Sequence, residues 1–389
     1  LKRDSVLMVV GVYHPEVSGA ANQCRQLMNK LSEKFSFTVL TTTRDTDLPP
    51  RSQVDGVEVF RILLRKRSVG GYFKAILKFA TIFFFQRKGL RIVHMHGFSY
   101  KSVFIMVLSK IFHKKVVIKM TSVGHDDPIS CRKRGFTFNY FFTKADVYVG
   151  VNSKFAELYH KSELPLYRYI EIPNGVDIDR FRPVEAEERE TLQNQLGLPT
   201  KMKLILFVGH FSREKCPDIL LEAWKQYVAK SSPDTGIIFV GSTNPDYYEV
   251  DAELVIDIQK LADPYVDQRI FFIERTQAIE NVYRAVDAFV LPSLREGLPN
   301  SLLEAMACGL PVIVSRLDGI TDWIIQDGVD GLLFAPGSVE ELGEAMIRML
   351  RNSNLASELG TKARQKIIES FTIDRVARNY ESLYGKLVS

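Results

Sequence analysis

At 389 residues, with 46% hydrophobic and 25% charged side chains, the chain is long enough for two α/β domains and too well balanced for wholesale disorder. Its four cysteines, Cys24, Cys131, Cys216 and Cys308, are far apart with no CxxC pair. That spacing excludes a disulfide frame and a zinc site of the usual kind and fits a reducing compartment. The formal net charge of +5 is mild, but its distribution is not. Between Val59 and His125 there is no Asp or Glu, while fourteen Lys and Arg fall there, from Arg61 to Lys119. A single-sign region of this kind seeks an anionic partner.

In chain order, Val6–Val12 reads as a first buried strand, too short for a signal-peptide core. A turn at Pro15-Glu16-Val17-Ser18-Gly19-Ala20 follows, then a helix over 20–34 and strands at 37–43 and 57–61. The stretch Tyr72–Gln86 predicts a helix with Lys74, Lys78 and Thr81 on one stripe and Phe73, Ile76, Leu77, Ala80 and Phe84 on the other. Its densest apolar run, Phe79–Phe85, is far below the ~18–20 residues that span a bilayer. Two readings of this helix stand together: it packs on the first domain, or it lies on an anionic membrane surface with the Arg65-Lys66-Arg67 cluster beside it. Nucleic acid is not expected as a partner, since no RNA- or DNA-binding motif accompanies the charge.

Strands at 92–96, 116–121 and 147–151 continue the alternation. His96 and His125 follow two of them, where each could meet a substrate or bond to the local backbone. A strand then ends at Asn174-Gly175, and the charged, proline-containing stretch to Thr200 reads as the inter-domain connection. A second series of strands, at 204–209, 236–240, 269–273, 288–291, 311–315 and 331–334, alternates with helices at 217–228, 279–285 and 301–307. Strands alternating with helices imply parallel sheets covered on both faces, here two Rossmann-like domains, over 1–180 and 200–371, with a last helix over 372–389 crossing back to the first. Ligands of such sheets sit at the carboxyl ends of the strands.

The strongest signal is the run Pro292-Ser-Leu-Arg-Glu296-Gly-Leu-Pro-Asn-Ser-Leu-Leu-Glu304-Ala-Met-Ala-Cys-Gly-Leu-Pro311. A strand ends, a loop carries Glu296 and Gly297, and a helix opens near Asn300. The amides of Ser301 and Leu302 at its start suit a phosphate or a sugar edge. Second comes Gly209-His-Phe-Ser-Arg-Glu-Lys215 directly after a strand, where cationic side chains can stabilise a departing diphosphate. No DxD run or clustered histidines suggest a metal.

The Glu296 to Glu304 run resembles the EX7E motif of retaining glycosyltransferases of family 4, and the resemblance extends over most of the chain, including Asn174–Asp177, the 209–215 loop and Ser18-Gly19-Ala20. It implies the GT-B fold: two Rossmann-like α/β domains facing each other across a cleft. It also implies a hexosyltransferase-type enzyme moving sugar from a nucleotide sugar, UDP- or GDP-linked, to a hydroxyl of a glycan or lipid-linked acceptor, without metal or other cofactor. On this likeness Glu304 binds the ribose hydroxyls, as a carboxylate accepting from a vicinal diol can, and Glu296 lies against the transferred sugar. The amides of Gly297, Leu298, Asn300, Ser301 and Leu302 hold sugar or diphosphate, and Lys215 holds diphosphate. His210 stands where the family has Arg, with Arg213 as a displaced substitute. Gly19-Ala20 stands where the family often has two adjacent glycines, and Gly19 lets the backbone approach the diphosphate. The base is expected near Glu274-Arg275-Thr276, with Arg275 among the donor-binding residues, and His125 joins Glu296 as a catalytic candidate. No nucleophile stands out on the acceptor side, so a front-face displacement is expected, at the cytoplasmic face of the plasma membrane. The rival readings are a nucleotide-sugar epimerase of the same architecture and a nucleotide-sugar-binding protein with decayed chemistry.

Overall fold

The computed structural model describes residues 3–16, 18–64, 69–244, 250–274, 276 and 278–389, with backbone alone over 69–76. Arg275 and the Arg65–Arg67 cluster therefore lie outside the described residues, as do the side chains of Phe73, Lys74 and Ile76. The chain forms two compact units, Leu1–Gly175 with Ile373–Ser389, and Val176–Thr372.

The first unit is built on an eight-stranded sheet. In chain order its strands are β1 (Asp4–Val9), β2 (Phe35–Thr43), β3 (Arg51–Val54), β4 (Val57–Leu63), β5 (Leu90–His96), β6 (Lys115–Lys119), β7 (Val147–Gly150) and β8 (Tyr169–Glu171). Their spatial order is β3-β4-β2-β1-β5-β6-β7-β8. Pairing is parallel except in the β3–β4 hairpin. The hairpin turns on Asp55-Gly56, both at positive φ, the backbone that a two-residue hairpin loop requires. Because β1 is flanked by β2 and β5, the strand order reverses at β1, and the loop from Gly11 to Ser18 leaves the sheet at that switch point. Arg61, itself buried, ties this loop down by donating to the carbonyl of His14 at 2.5 Å and to Ser52 Oγ at 2.6 Å.

The last helix, Ile373–Val388, packs on the helix Gly19–Leu31 and on β5, burying Val376, Tyr380 and Tyr384. Its ion pairs to Lys30 and Lys34 run through Asp374 and Glu381. The helix Val69–Gln86 departs from the expected stripe. Phe79 and Phe83, one turn apart, are buried, while Leu77, Phe84 and Phe85 are exposed on the same face as Lys78 and Thr81. On the inward side the Phe83 ring stacks on Phe112 at 5.7 Å.

In the second unit β9 (Lys203–Val208), β10 (Thr235–Val240), β11 (Ile270–Ile273), β12 (Ala288–Leu291), β13 (Val312–Ser315) and β14 (Leu332–Phe334) form one sheet in the order β11-β10-β9-β12-β13-β14. All its pairs are parallel. Strands buried on both faces read as continuous apolar runs, as Leu204–Phe207 and Ile237–Val240 do. The residues after Val176 belong to this unit and not to a linker. The helix Ala186–Gln195 is charged on its outer side, which is why the composition suggests a connection. It nevertheless buries Leu192, and Gln193 Nε2 donates to the carbonyl of Ala285 at 2.9 Å. Here the order reverses at β9, between β10 and β12. The loops following β9 and β12 therefore leave the sheet side by side.

Candidate active site

Those two loops carry Lys215 and Glu296. Lys215 Nζ donates to Glu296 Oε1 at 2.6 Å, with Glu296 buried and Lys215 half-buried. The backbone joins them further. Leu294 N–H donates to the carbonyl of Glu214 at 2.8 Å, and Arg295 pairs with the Glu214 carboxylate at 2.5 Å. A buried carboxylate needs compensating charge and hydrogen bonds, and Lys215 supplies both. The β9 and β10 ends also approach closely. A Cβ on Gly241 would lie 2.0 Å from the carbonyl oxygen of Gly209, so only glycine fits there.

Glu304 lies further along, in the helix Asn300–Ala307. Its Oε2 accepts from Tyr283 Oη at 3.0 Å, and the same hydroxyl lies 3.2 Å from the carbonyl of Ser301. Burial pushes the Glu304 carboxyl up to about 7, against the lowering effect of the Tyr283 bond and of Arg180. The carboxyl thus titrates near neutrality, a feature common at functional sites. Tyr283, on the helix Ile279–Ala285, is the residue that sequence reasoning missed. Its signal was a lone aromatic in a short amphipathic helix, which reads equally well as core.

The remaining donor-side candidates divide. Pro299 stands at the N-cap of the helix Asn300–Ala307 and offers no side-chain acceptor to the amides of its first turn. Asn300 and Ser301 are half-buried, whereas the side chains of Leu298 and Leu302 belong to the core, so these two can serve only through their backbone. Gly297 lies in the loop between. Arg213 is exposed and pairs with Asp251 at 3.0 Å, the residue that caps the helix Ala252–Ala262. It is engaged in that turn rather than beside Lys215. His210 is half-buried, and its carbonyl accepts from Ser212 N–H at 2.9 Å.

Gly19, His96 and His125 belong to the first unit. Gly19 is exposed and opens the helix Gly19–Leu31, whose cap is Ser18 accepting from Ala21 N–H at 3.1 Å. His125 is exposed, with Nδ1 3.3 Å from an Arg134 guanidinium nitrogen. The inward-facing group of that loop is its neighbour Asp126, which accepts from Thr121 N–H, Thr121 Oγ1 and Ser122 N–H at 2.8–3.1 Å. Burial raises its carboxyl to about 6. His96 is buried against His94, ring centroids 4.5 Å apart, and His94 Nδ1 lies 2.6 Å from Tyr384 Oη. These two rings sit under the last helix. Lys101 Nζ donates to the carbonyls of Val10 and Gly11 and to Thr42 Oγ1 at 3.0–3.2 Å, bracing the loop after β1.

With this geometry in place, the likeness to known proteins can be set beside it. Residues 188–366 match the family described as glycosyl transferases group 1. That match lies within the second unit. The chain is 29% identical over 220 residues to UDP-Gal:alpha-D-GlcNAc-diphosphoundecaprenol alpha-1,3-galactosyltransferase of Escherichia coli, covering 56% of this chain and 54% of that one. It is 22% identical over 301 residues to N-acetyl-alpha-D-glucosaminyl L-malate synthase of Bacillus anthracis, covering 77% and 75%. Several of the curated relatives are matched over only about half their length. Among solved structures, Anabaena HepE in complex with UDP superposes with a TM-score of 0.77 at 16% identity, over 98% of this chain and 100% of that one. The fold is accordingly GT-B, with two α/β units on parallel sheets. The relatives named are a transferase and a synthase, which does not favour the epimerase reading.

Proposed function

We propose that the protein is a retaining glycosyltransferase of family 4 type, moving a sugar from a UDP- or GDP-linked donor to a hydroxyl of a glycan or lipid-linked acceptor. The observation that carries this reading is the Lys215–Glu296 pair, held on adjacent loops at the switch point of the second sheet. That unit matches the glycosyl transferases group 1 family. The name of the Escherichia coli relative, with its UDP-Gal donor and diphosphoundecaprenol-linked acceptor, supports the donor and acceptor classes. The UDP held by HepE supports the donor class.

In this reading Lys215 turns from Glu296 to the donor diphosphate, and Glu296 takes sugar hydroxyls in its place. The bond from the anomeric carbon to the diphosphate oxygen breaks with its electron pair going to the diphosphate, whose charge the Lys215 ammonium stabilises. The acceptor oxygen bonds to the same face of that carbon, and its proton passes to the departing phosphate oxygen. Glu304 as carboxylate accepts from the ribose diol. Gly297, Asn300 and Ser301 offer amides to the sugar and diphosphate. No metal is required, because Lys215 and the amides provide the positive charge. The reaction takes place at the cytoplasmic face of a membrane.

The experiment is a thermal-shift panel of UDP, GDP, ADP and their sugars on the wild type and Glu304→Ala. A ligand at 100 times its dissociation constant adds about 2.7 kcal/mol of stability. A shift by UDP or GDP that the variant loses supports the reading. No shift with any nucleotide at saturation defeats it, and a product of inverted anomeric configuration by NMR defeats retention.

A further inference from the structure

From Val59 to Ala145 the chain contains only two acidic residues, Asp126 and Asp127, and both are buried, at 3% and 1% exposure. This whole stretch of the first unit therefore turns no carboxylate to solvent, while Lys78, Lys88, Lys110, Lys115, Arg132 and Lys133 are exposed on it. Set among these cations are large apolar side chains that the fold leaves outside. Tyr100 and Ile111 stand at opposite ends of the helix Tyr100–Ile111 with 73% and 60% exposure. Phe136 on the helix Phe136–Phe142 is 84% exposed, and Phe85 on the helix Val69–Gln86 is 77% exposed.

These three helices are neighbours. The middle one contacts both of the others. On one side Phe84 meets Phe112 at 6.3 Å between centroids, and on the other Tyr100 meets Phe138 at 5.1 Å. Between Tyr100, Val103, Arg134 and Phe136 the surface is dimpled by a cavity of about 200 Å³. The outward stripe of the middle helix, Tyr100, Phe104, Val107 and Ile111, recurs at helical spacing with none of the four buried. Exposed apolar patches of this extent mark an interaction surface.

We propose that this three-helix face docks on an anionic lipid bilayer, with Phe85, Tyr100, Ile111 and Phe136 inserted at the headgroup level and the surrounding lysines and arginines against lipid phosphates. The occupant follows from charge complementarity. Exposed aromatic side chains interspersed with cations, on a stretch whose own two acids are buried, match the chemistry of an anionic interface. A second copy of the same face would bring like charges together. Nucleic acid would use the cations but leaves the aliphatic Ile111 and the recessed Val107 without a role. The inference rests on the proposed transferase reading only for its purpose, which is to bring the site to a lipid-linked acceptor. Binding itself needs neither donor nor acceptor.

The test is co-sedimentation of the full chain with phosphatidylcholine vesicles containing phosphatidylglycerol, compared with phosphatidylcholine alone, without nucleotide. The wild type is expected to bind the anionic vesicles and to bind the neutral ones at least tenfold more weakly. Phe136→Ser combined with Tyr100→Ser removes two exposed rings and should weaken binding about tenfold, with an unchanged melting temperature and unchanged UDP binding. Lys133→Gln should weaken it about fivefold, the effect of roughly one cation at such a surface. Equal binding to both vesicle types overturns the proposal, as does retention of full binding by the ring variant. Wild-type binding to single-stranded RNA that exceeds vesicle binding overturns it in favour of nucleic acid. Transfer activity is absent from every arm, so failure of the transferase reading and failure of this one are read separately.

Discussion

Glu296 and Lys215 stand 81 positions apart in sequence and share one hydrogen bond of 2.6 Å, with the carboxylate buried and the ammonium partly open to solvent. The pair is asymmetric in what its loss should do. Removing the cation as Lys215→Met leaves a buried carboxylate uncompensated, which costs about 3–5 kcal/mol when such pairs are broken. Removing the acid as Glu296→Gln leaves a cation that can turn to water, at a smaller cost. Urea unfolding of the two single variants and the double is expected to show this order, with Lys215→Met partly rescued by Glu296→Gln. Both single variants should lower sugar transfer by at least about a hundredfold, in keeping with loss of a charge-stabilising group. Equal stability of both single variants would mean that the ion pair is incidental.

Glu304 carries a second expectation. Its carboxyl is raised to about 7 by burial, against about 4.3 for a free glutamate. A group raised in the folded state contributes stability that is present below the unfolded value and is lost as pH rises through the folded one. Ionised Glu304 is therefore a liability of the empty protein above pH 7. Glu304→Gln is expected to melt higher than the wild type at pH 8 and close to it at pH 5, by on the order of 2 kcal/mol at most. The same variant should bind UDP more weakly, because the amide accepts less well from a diol. Tyr283→Phe removes a bond that lowers the carboxyl, so the pH midpoint of wild-type UDP binding should move upward in it. Calorimetric titration from pH 6 to 8 reads all three proteins.

Much of the second sheet was legible in the sequence. The sheet strands of the second unit are short apolar runs, of which β9, β10 and β12 end at glycine or proline, and the helix Ile279–Ala285 and the strand β12 fall where the pattern puts them. Three features were not legible for physical reasons. Arg213 lies two residues from Lys215, yet its partner Asp251 comes from a helix cap 38 residues on, and sequence spacing carries no sign of that. His125 and Asp126 adjoin, and which one faces inward is decided by amides of Thr121 and Ser122 that only the folded loop presents. The stretch 186–195 looks like a linker because one buried turn suffices to dock a charged helix. The β3–β4 hairpin, by contrast, was missed although Asp55-Gly56 is a strong hairpin signal.

Gly241 gives a purely steric expectation. Its Cβ would fall 2.0 Å from the carbonyl oxygen of Gly209, so Gly241→Ala must push apart the ends of β9 and β10. The loop that follows β9 carries Lys215. The variant is expected to lose about 1–3 kcal/mol, as overpacked sites do, and to bind UDP at least several-fold more weakly. A control at Gly56→Ala, which meets open space but has positive φ, should cost stability without touching nucleotide binding. If Gly241→Ala binds UDP normally, the β9 loop does not set the donor site.

The histidine pair beneath the last helix predicts acid sensitivity. Burial holds His94 down at about 3, and burial with the neighbouring His94 and Lys119 holds His96 well below its ordinary value. Both are neutral in the fold, whereas a free histidine titrates near 6.5. For groups depressed in the folded state the stability is present above the unfolded value and is lost as pH falls. Here the window opens at about 6.5 and extends downward toward 3, because the unfolded chain takes up protons that the fold refuses. The melting temperature is therefore expected to fall between pH 7 and pH 5 with a slope approaching two protons. Tyr384 Oη, 2.6 Å from His94 Nδ1, links this to the docking of Ile373–Val388. His96→Phe keeps the ring volume and removes one titration, so its slope should drop by about one proton while transfer activity at pH 7.5 is retained. An unchanged slope in that variant would place the acid sensitivity elsewhere, and lost activity would return His96 to the substrate side.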